Sequence, residues 1–308
     1  MDIFLTLFTN LIPLYILIGL GFIAGRFLHV ERMSIANLVI YICLPVVAFG
    51  FVSTLEFQLS YIFLPIIILT ISSIVGLGVY ALGKRMFGDN RANLLSMCAS
   101  MPNSGYFGLP LVILVFKEQP QWVGVYMFMM LGVTIYEATI GYYIAARGSY
   151  SVSDSIKKLM KFPALYAIAL ALIVNISGAE LPEQFYTYWA YFKGAYVVMG
   201  MMIIGVALAS VEKLVIGPRF LSLVALGKFI IWPILMIIIM AIDMHLTHLF
   251  NAEIYKLMLI LSIVPPAANI AAFAAQLNVQ PEKAATTVLL CTIFALFYIP
   301  FIVMISGI

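Results

Sequence analysis

Apolar residues run along this chain in blocks of membrane-spanning length, and polar residues gather in the short gaps between them. A helix needs about 20 apolar residues to cross the hydrocarbon of a bilayer. Ten blocks meet or approach that length: Ile3–Gly25, Ile35–Thr54, Tyr61–Leu82, Asn93–Phe116, Trp122–Ala146, Pro163–Ile176, Tyr188–Ala209, Leu221–Ile242, Ile254–Leu277 and Ala284–Ile305. The sixth is short and is expected to run on through Ser177 and Gly178. The longest gap, Arg147 to Phe162, leaves five blocks on either side. The pattern predicts an all-α polytopic membrane protein of ten transmembrane helices. Its parts are a first five-helix repeat over 1–146, a linker over 147–162 and a second repeat over 163–308.

Composition strengthens this reading. The chain has 308 residues, of which 64% are hydrophobic and 9% charged, with mean hydropathy +1.12. A soluble domain carries roughly 25% charged residues, so a chain this apolar must face lipid. Cys43, Cys98 and Cys291 all lie in apolar blocks, which fits packing residues better than disulfides or a zinc site. No basic residue precedes the first block and no small-residue cleavage site follows it, so no cleavable signal peptide is read there.

The charges orient the chain. Of the 16 Lys and Arg, twelve fall in one set of loops: Arg26, Arg32, Lys84, Arg85, Arg91, Arg147, Lys157, Lys158, Lys161, Lys213, Arg219 and Lys283. Lys117 alone lies in the other set, and Lys193, Lys228 and Lys256 fall within or beside blocks. Positive residues mark the cytoplasmic side. Both termini are therefore expected outside and the linker inside, in a multi-pass plasma membrane protein.

Two blocks break the rules for a helix interior. The fourth contains "MPNSGYFGLP", Met101 to Pro110, and the ninth contains "VPPAANIAAF", Val264 to Phe273. Proline inside a helix removes a hydrogen bond and costs about 3 kcal/mol. One reading is a pair of simple proline kinks. The other follows from topology. Five spans per half point the halves in opposite directions, as in inverted-repeat transporters, and the fourth and ninth spans then correspond. Two broken helices would cross near the midplane. Their second halves would start at Asn103–Ser104 and at Asn269, presenting N–H groups and about +0.5 charge each to a carboxylate.

"MPNSGYFGLPLVI", the interrupted ninth span with Pro265, Pro266 and Asn269, and "YICLPVVAF" in the second span resemble the auxin efflux carrier family. The resemblance covers essentially the whole chain. It implies a 5+5 inverted repeat with crossing broken helices 4 and 9, the fold of sodium/proton antiporters and bile-acid symporters. It further implies a scaffold of spans 1, 2, 6 and 7, transport helices 3–5 and 8–10, and a homodimer through the scaffold. On this basis the expected substrate-binding residues are Pro102, Asn103, Ser104, Gly105, Pro265, Pro266, Asn269 and Lys228. Pro45 forms a scaffold wall. The long cytoplasmic loop of plant members is absent, which points to a bacterial source.

Glu137 ("TIYEATI") and Lys228 ("LGKFI") lie inside the fifth and eighth blocks, where ionisable side chains are costly and usually functional. They are expected at similar depth. They either pair, or Lys228 complements a substrate while Glu137 handles a proton or sodium ion. The plainer alternative is a snorkelling lysine and a neutral acid. Glu56 and Asp243 sit at outer block ends and read as solvated. His245 and His248 are spaced i, i+3 but have no third ligand, so no metal site follows. Asn175-Ile-Ser matches a glycosylation pattern too close to the membrane to be used. No P-loop, nucleophile set or basic nucleic-acid patch is found, so no cofactor, enzyme or nucleic-acid role is expected. The expected partners are the bilayer and a small organic anion, an auxin-like monocarboxylate or a short dicarboxylate, carried by elevator-type alternating access. The alternatives are a sodium-coupled organic-anion symporter and a non-transporting ligand sensor.

Overall fold

A computed structural model of the chain describes residues 2–146, 157, 160–211 and 213–306. Arg147, Lys158 and most of the expected linker lie outside the described residues. The regular structure is helical: α1 (Asp2–Phe27), α2 (Arg32–Ser53), α3 (Phe63–Phe87), α4 (Arg91–Ser100), α5 (Ser104–Val115), α6 (Gln121–Ala145), α7 (Pro163–Ser177), α8 (Glu183–Ala209), α9 (Pro218–Thr247), α10 (Ala252–Ile263), α11 (Asn269–Gln276) and α12 (Pro281–Ser306). Among the described residues, seven stretches are long and apolar enough to cross a membrane: within α1, then α2, α3 with its preceding turn, α6, α8, α9 and α12. Among the described residues there is no named strand, only one isolated bridge, Pro102 with Pro266.

Every apolar block has become a helix or a broken pair of helices. The ends are set by local chemistry. Gly88 and Gly178 take left-handed backbone at the ends of α3 and α7, which a residue with a Cβ adopts at a cost. Asn251 opens α10 by accepting a hydrogen bond from the N–H of Ile254 at 3.1 Å. Asn175 of α7 closes α2: its amide donates to the carbonyl of Ser53 at 3.0 Å and to that of Leu55. Its glycosylation-like sequence is therefore used as a cap between helices.

α1 lies against α8, and α2 packs on α7 and α8. The α1–α8 crossing is close enough that only glycine fits. A Cβ on Gly205 would stand 1.9 Å from the Ile18 carbonyl oxygen, and one on Gly21 would stand 2.1 Å from that of Met202. Small residues of this kind let helix backbones approach in a membrane. α3 packs on α4, α6 and α9, and α12 on α11 and α10. These helices form a second group, joined to the first through α1–α12, α2–α6 and α8–α5 contacts.

One polar residue differs from its sequence reading. Asp243 is not solvated; it is 3% exposed. Its carboxylate accepts from the N–H of Leu249 at 2.9 Å, the N–H of Phe250 at 3.0 Å and the Tyr255 hydroxyl at 2.7 Å, and also from Thr247. The loop after α9 folds over it, because two main-chain donors there have no helical partner. Asn278 has φ +53° in the turn between α11 and α12. Left-handed backbone costs most residues about 1–2 kcal/mol, and Asn and Gly are the usual occupants. Asn278→Ala is accordingly expected to lower thermal stability by about 1 kcal/mol, with Asn278→Gly equal to wild type. Equal melting of all three would show that the turn is not held left-handed.

Candidate functional site

The two proline-containing blocks are interrupted, not bent. Residues before proline are driven out of helical backbone. Met101, before Pro102, has ψ 95°, and Val264, before Pro265, has ψ 151°. The extended segments then pair with each other. Asn103 N–H donates to the Pro265 carbonyl and Ala267 N–H to the Met101 carbonyl, both at 2.8 Å. Pro102 and Pro266 stand opposite each other as the antiparallel bridge. In such a ladder, alternate residue pairs exchange no hydrogen bonds and turn their N–H groups outward. Proline fits there without leaving a donor unmade. The prolines thus end the helices, and the backbone groups released by each break are satisfied by the other break.

The chain re-enters helix on the far side of each break. Asn103 caps α5, its side-chain oxygen accepting from Phe107 N–H at 3.3 Å while its own carbonyl accepts from Gly108 N–H at 2.8 Å. α5 opens with a π turn, Ser104–Gly108. Its carbonyls are gripped from outside: Tyr196 donates to the Gly105 oxygen at 3.0 Å, and Tyr126 to that of Ser104 at 3.2 Å. Asn269 is the first residue of α11. The starts of α5 and α11 therefore meet at one place, each with first-turn N–H groups that precede its own helical bonds.

A cavity of 510 Å³ opens at this meeting point. From the expected set, Pro102, Asn103, Ser104, Gly105, Asn269 and Glu137 line it. Pro265 and Pro266 contribute the pairing backbone behind it. Pro45 stands one residue past the lining Leu44, at the first turn after a π turn in α2. Lys228 does not line the cavity. It is fully buried in a π turn of α9, where its ammonium donates to the Ser262 carbonyl at 3.0 Å and lies 4.7 Å from the Trp232 ring centre. The expectation that it faces a substrate is corrected on that ground: carbonyl and ring hold it on the α9–α10 side. Nor is it an ion-pair partner of Glu137. The ion pairs among described residues are Arg91–Asp89, Lys117–Glu118 and Lys256–Glu253.

The residue that pattern reading assigns to a loop is Arg32. It is the first residue of α2, and its Nη2 donates to the Asn269 side-chain oxygen at 2.7 Å. Its Nε is buried without a partner, as are the Asn103 amide nitrogen and the Tyr106 hydroxyl. All three residues line the cavity. The signal that finds Arg32 is spacing. Arg32, Ala36, Ile40 and Leu44 follow at intervals of four, and every one lines the cavity, so the arginine belongs to the helix face and not to the loop. The remaining wall mixes aliphatic side chains such as Val39, Met130 and Val133 with four aromatic ones, Tyr41, Phe162, Tyr196 and Phe273.

Comparison with known proteins places the chain in a family. A family profile described as membrane transport protein matches residues 6–303. An uncharacterized transporter of Methanocaldococcus jannaschii is 28% identical over 230 residues, covering 71% of this chain and 74% of that one. With a family match over nearly its whole length, the chain belongs to the membrane transport protein family, the auxin efflux carrier type that its interrupted spans resemble.

Proposed function

We propose that the protein is a secondary carrier of small organic anions that binds its substrate where α5 and α11 begin. One observation carries this reading: two interrupted helices pair through their main chains at the floor of a 510 Å³ cavity. Pockets for small molecules are typically about 300–1,000 Å³, mostly apolar with a few placed polar groups. Here the polar groups include Arg32, Asn103, Asn269, Tyr106 and the carboxyl of Glu137, set among aliphatic and aromatic side chains. A second cavity of 370 Å³ lies at the far ends of α5 and α10, lined by Lys117, Glu253 and Lys256 among others. Cavities at both ends of these helices suit alternating access. Ten spans in two inverted halves, 1–146 and 163–308, follow if the interrupted pairs each count as one crossing. α1, α2, α7 and α8 are then the scaffold and dimer surface, and the remaining helices move as an elevator. The four aromatic side chains Tyr41, Phe162, Tyr196 and Phe273 in the lining favour an aromatic monocarboxylate over a short dicarboxylate. By the charge bias of the loops, the large cavity faces the cytoplasm.

The test is uptake by purified protein in liposomes, with labelled indole-3-acetate and malonate as probes, with and without a sodium gradient. Asn103→Ala should leave folded protein, since a lost cap costs only about 1 kcal/mol, and so should Asn269→Ala, which removes the bond accepted from Arg32 and no cap. Each should bind the better probe at least tenfold more weakly, because a hydrogen bond to a charged group is worth about 1.5–3 kcal/mol. Full affinity in both folded variants would move the site elsewhere, and no uptake of any organic acid would end the carrier reading.

A further inference from the structure

We infer that Arg32 is the residue through which the cavity recognises negative charge, its guanidinium passing from Asn269 to the ligand's carboxylate, so that acids are selected over neutral molecules of the same shape. The inference rests on the carrier reading and deepens it.

Arg32 is a cation with no ion pair among the described residues. Its hydrogen bond is to a neutral amide oxygen, that of Asn269. An arginine carries five N–H donors in a planar fork and is never deprotonated, so one bond to an amide leaves most of its capacity unspent. Nε is buried and unpaired. Two further buried groups on the same cavity, the Asn103 amide nitrogen and the Tyr106 hydroxyl, are also unpaired. Only five such atoms occur among the described residues, and these three share one cavity. Unpaired buried polar groups are rare in folded proteins and each calls for an explanation.

The chemistry of the three identifies what is missing. Arg32 and Asn103 offer N–H donors, and Tyr106 offers an O–H. An ionised carboxylate is acceptor-only, with two oxygens and about four lone-pair sites. It satisfies a fork from Arg32 and accepts from Asn103 and Tyr106 as well. A neutral primary amide of the same shape brings one oxygen and an NH₂ that meets donors with a donor. Arg32 comes from α2, while Asn103 and Tyr106 come from the break in the fourth block. A ligand that engages all three therefore spans the two helix groups, and Asn269, relieved of the guanidinium, gains a free side-chain oxygen. Lys161 is the other cation lining the cavity, but it is exposed. It adds a screened field, not a bond.

Binding is measured by calorimetry on purified protein with acid and amide pairs: indole-3-acetate against indole-3-acetamide, and malonate against malonamide. Wild type should favour the better acid over its amide at least tenfold. Arg32→Gln should bring that ratio to within about twofold, mainly by weakening the acid while the amide is bound as before. Arg32→Lys should keep part of the preference, and Lys161→Gln nearly all of it. Size-exclusion profile and melting temperature establish that each variant is folded; should Arg32→Gln not fold, Arg32→Lys with an intermediate ratio carries the same conclusion. A folded Arg32→Gln protein with the wild-type ratio, or Arg32→Lys with an unchanged one, overturns the inference while leaving the carrier reading intact. Wild type that binds neither acid overturns both.

Discussion

Gly205→Val is expected to yield no folded, monodisperse protein. The α1–α8 crossing leaves no room for a side chain there: a Cβ would stand 1.9 Å from the Ile18 oxygen and 2.5 Å from the Phe22 nitrogen. A tolerable carbon–oxygen contact is about 3.3 Å, so the helices would have to part by more than 1 Å along their contact. The obstacle is main chain, which no change of rotamer removes. Overpacking a well-filled core costs typically 1–3 kcal/mol, occasionally more, and two methyls beyond the Cβ place valine at the upper end. Lipid makes the loss worse, because helices in a bilayer associate by close contact and not by escape from water. The site would suffer too, since α8 carries Tyr196, which holds the Gly105 carbonyl. Gly19→Ala is the control, with nothing within 4 Å of its Cβ. Recovery of Gly205→Val at wild-type yield and melting temperature would mean that the two helices do not approach as described.

The second large effect falls on Asp243. Alanine there removes four accepted hydrogen bonds and strands the N–H groups of Leu249 and Phe250. Hydrogen bonds to a charged group contribute about 1.5–3 kcal/mol, and an orphaned buried donor adds its desolvation. The contributions are not additive, so a net loss of about 3 kcal/mol is expected. For a chain of this size that corresponds to a fall in melting temperature on the order of 10 °C. Asp243→Asn keeps the shape but only one acceptor oxygen, and should lose about half as much by the same reasoning. Thermal unfolding in detergent checks both; a melting temperature unchanged by Asp243→Ala would show that the loop after α9 does not depend on the carboxylate.

What the sequence discloses and what it hides have a common physical basis. The interruptions at Pro102 and Pro266 can be read because proline and its preceding residue obey local steric rules, independent of the rest of the fold. The helices can be read because lipid demands apolar runs of a given length. Arg32 cannot be read from hydropathy, since a charge next to an apolar block scores as loop whether its side chain points to water or into a cavity. Its face becomes visible only once α2 is known to begin at Arg32. Asp243 escapes for a similar reason: its partners are main-chain donors six and seven residues on, and no side-chain pattern marks them. Lys228 misleads in the opposite direction. A cation inside an apolar block reads as a functional group facing a ligand, yet a main-chain oxygen and an indole face are enough to hold it buried and outside the cavity lining.

The pairing of Met101–Asn103 with Pro265–Ala267 has a consequence for how the protein is made. While a ribosome has delivered only the first half, the Asn103 N–H and the Met101 carbonyl have no partners, for theirs lie more than 160 positions downstream. In hydrocarbon each stranded group costs several kcal/mol, so the fourth segment gains its interrupted shape only after the ninth has been threaded into the bilayer. The paired segment therefore forms late in biosynthesis and all at once. The dependence runs through peptide groups, which every residue supplies. A pairing of this kind asks nothing of the side chains, and "MPNSGYFGLP" and "VPPAANIAAF" have little in common beyond the means to stop a helix.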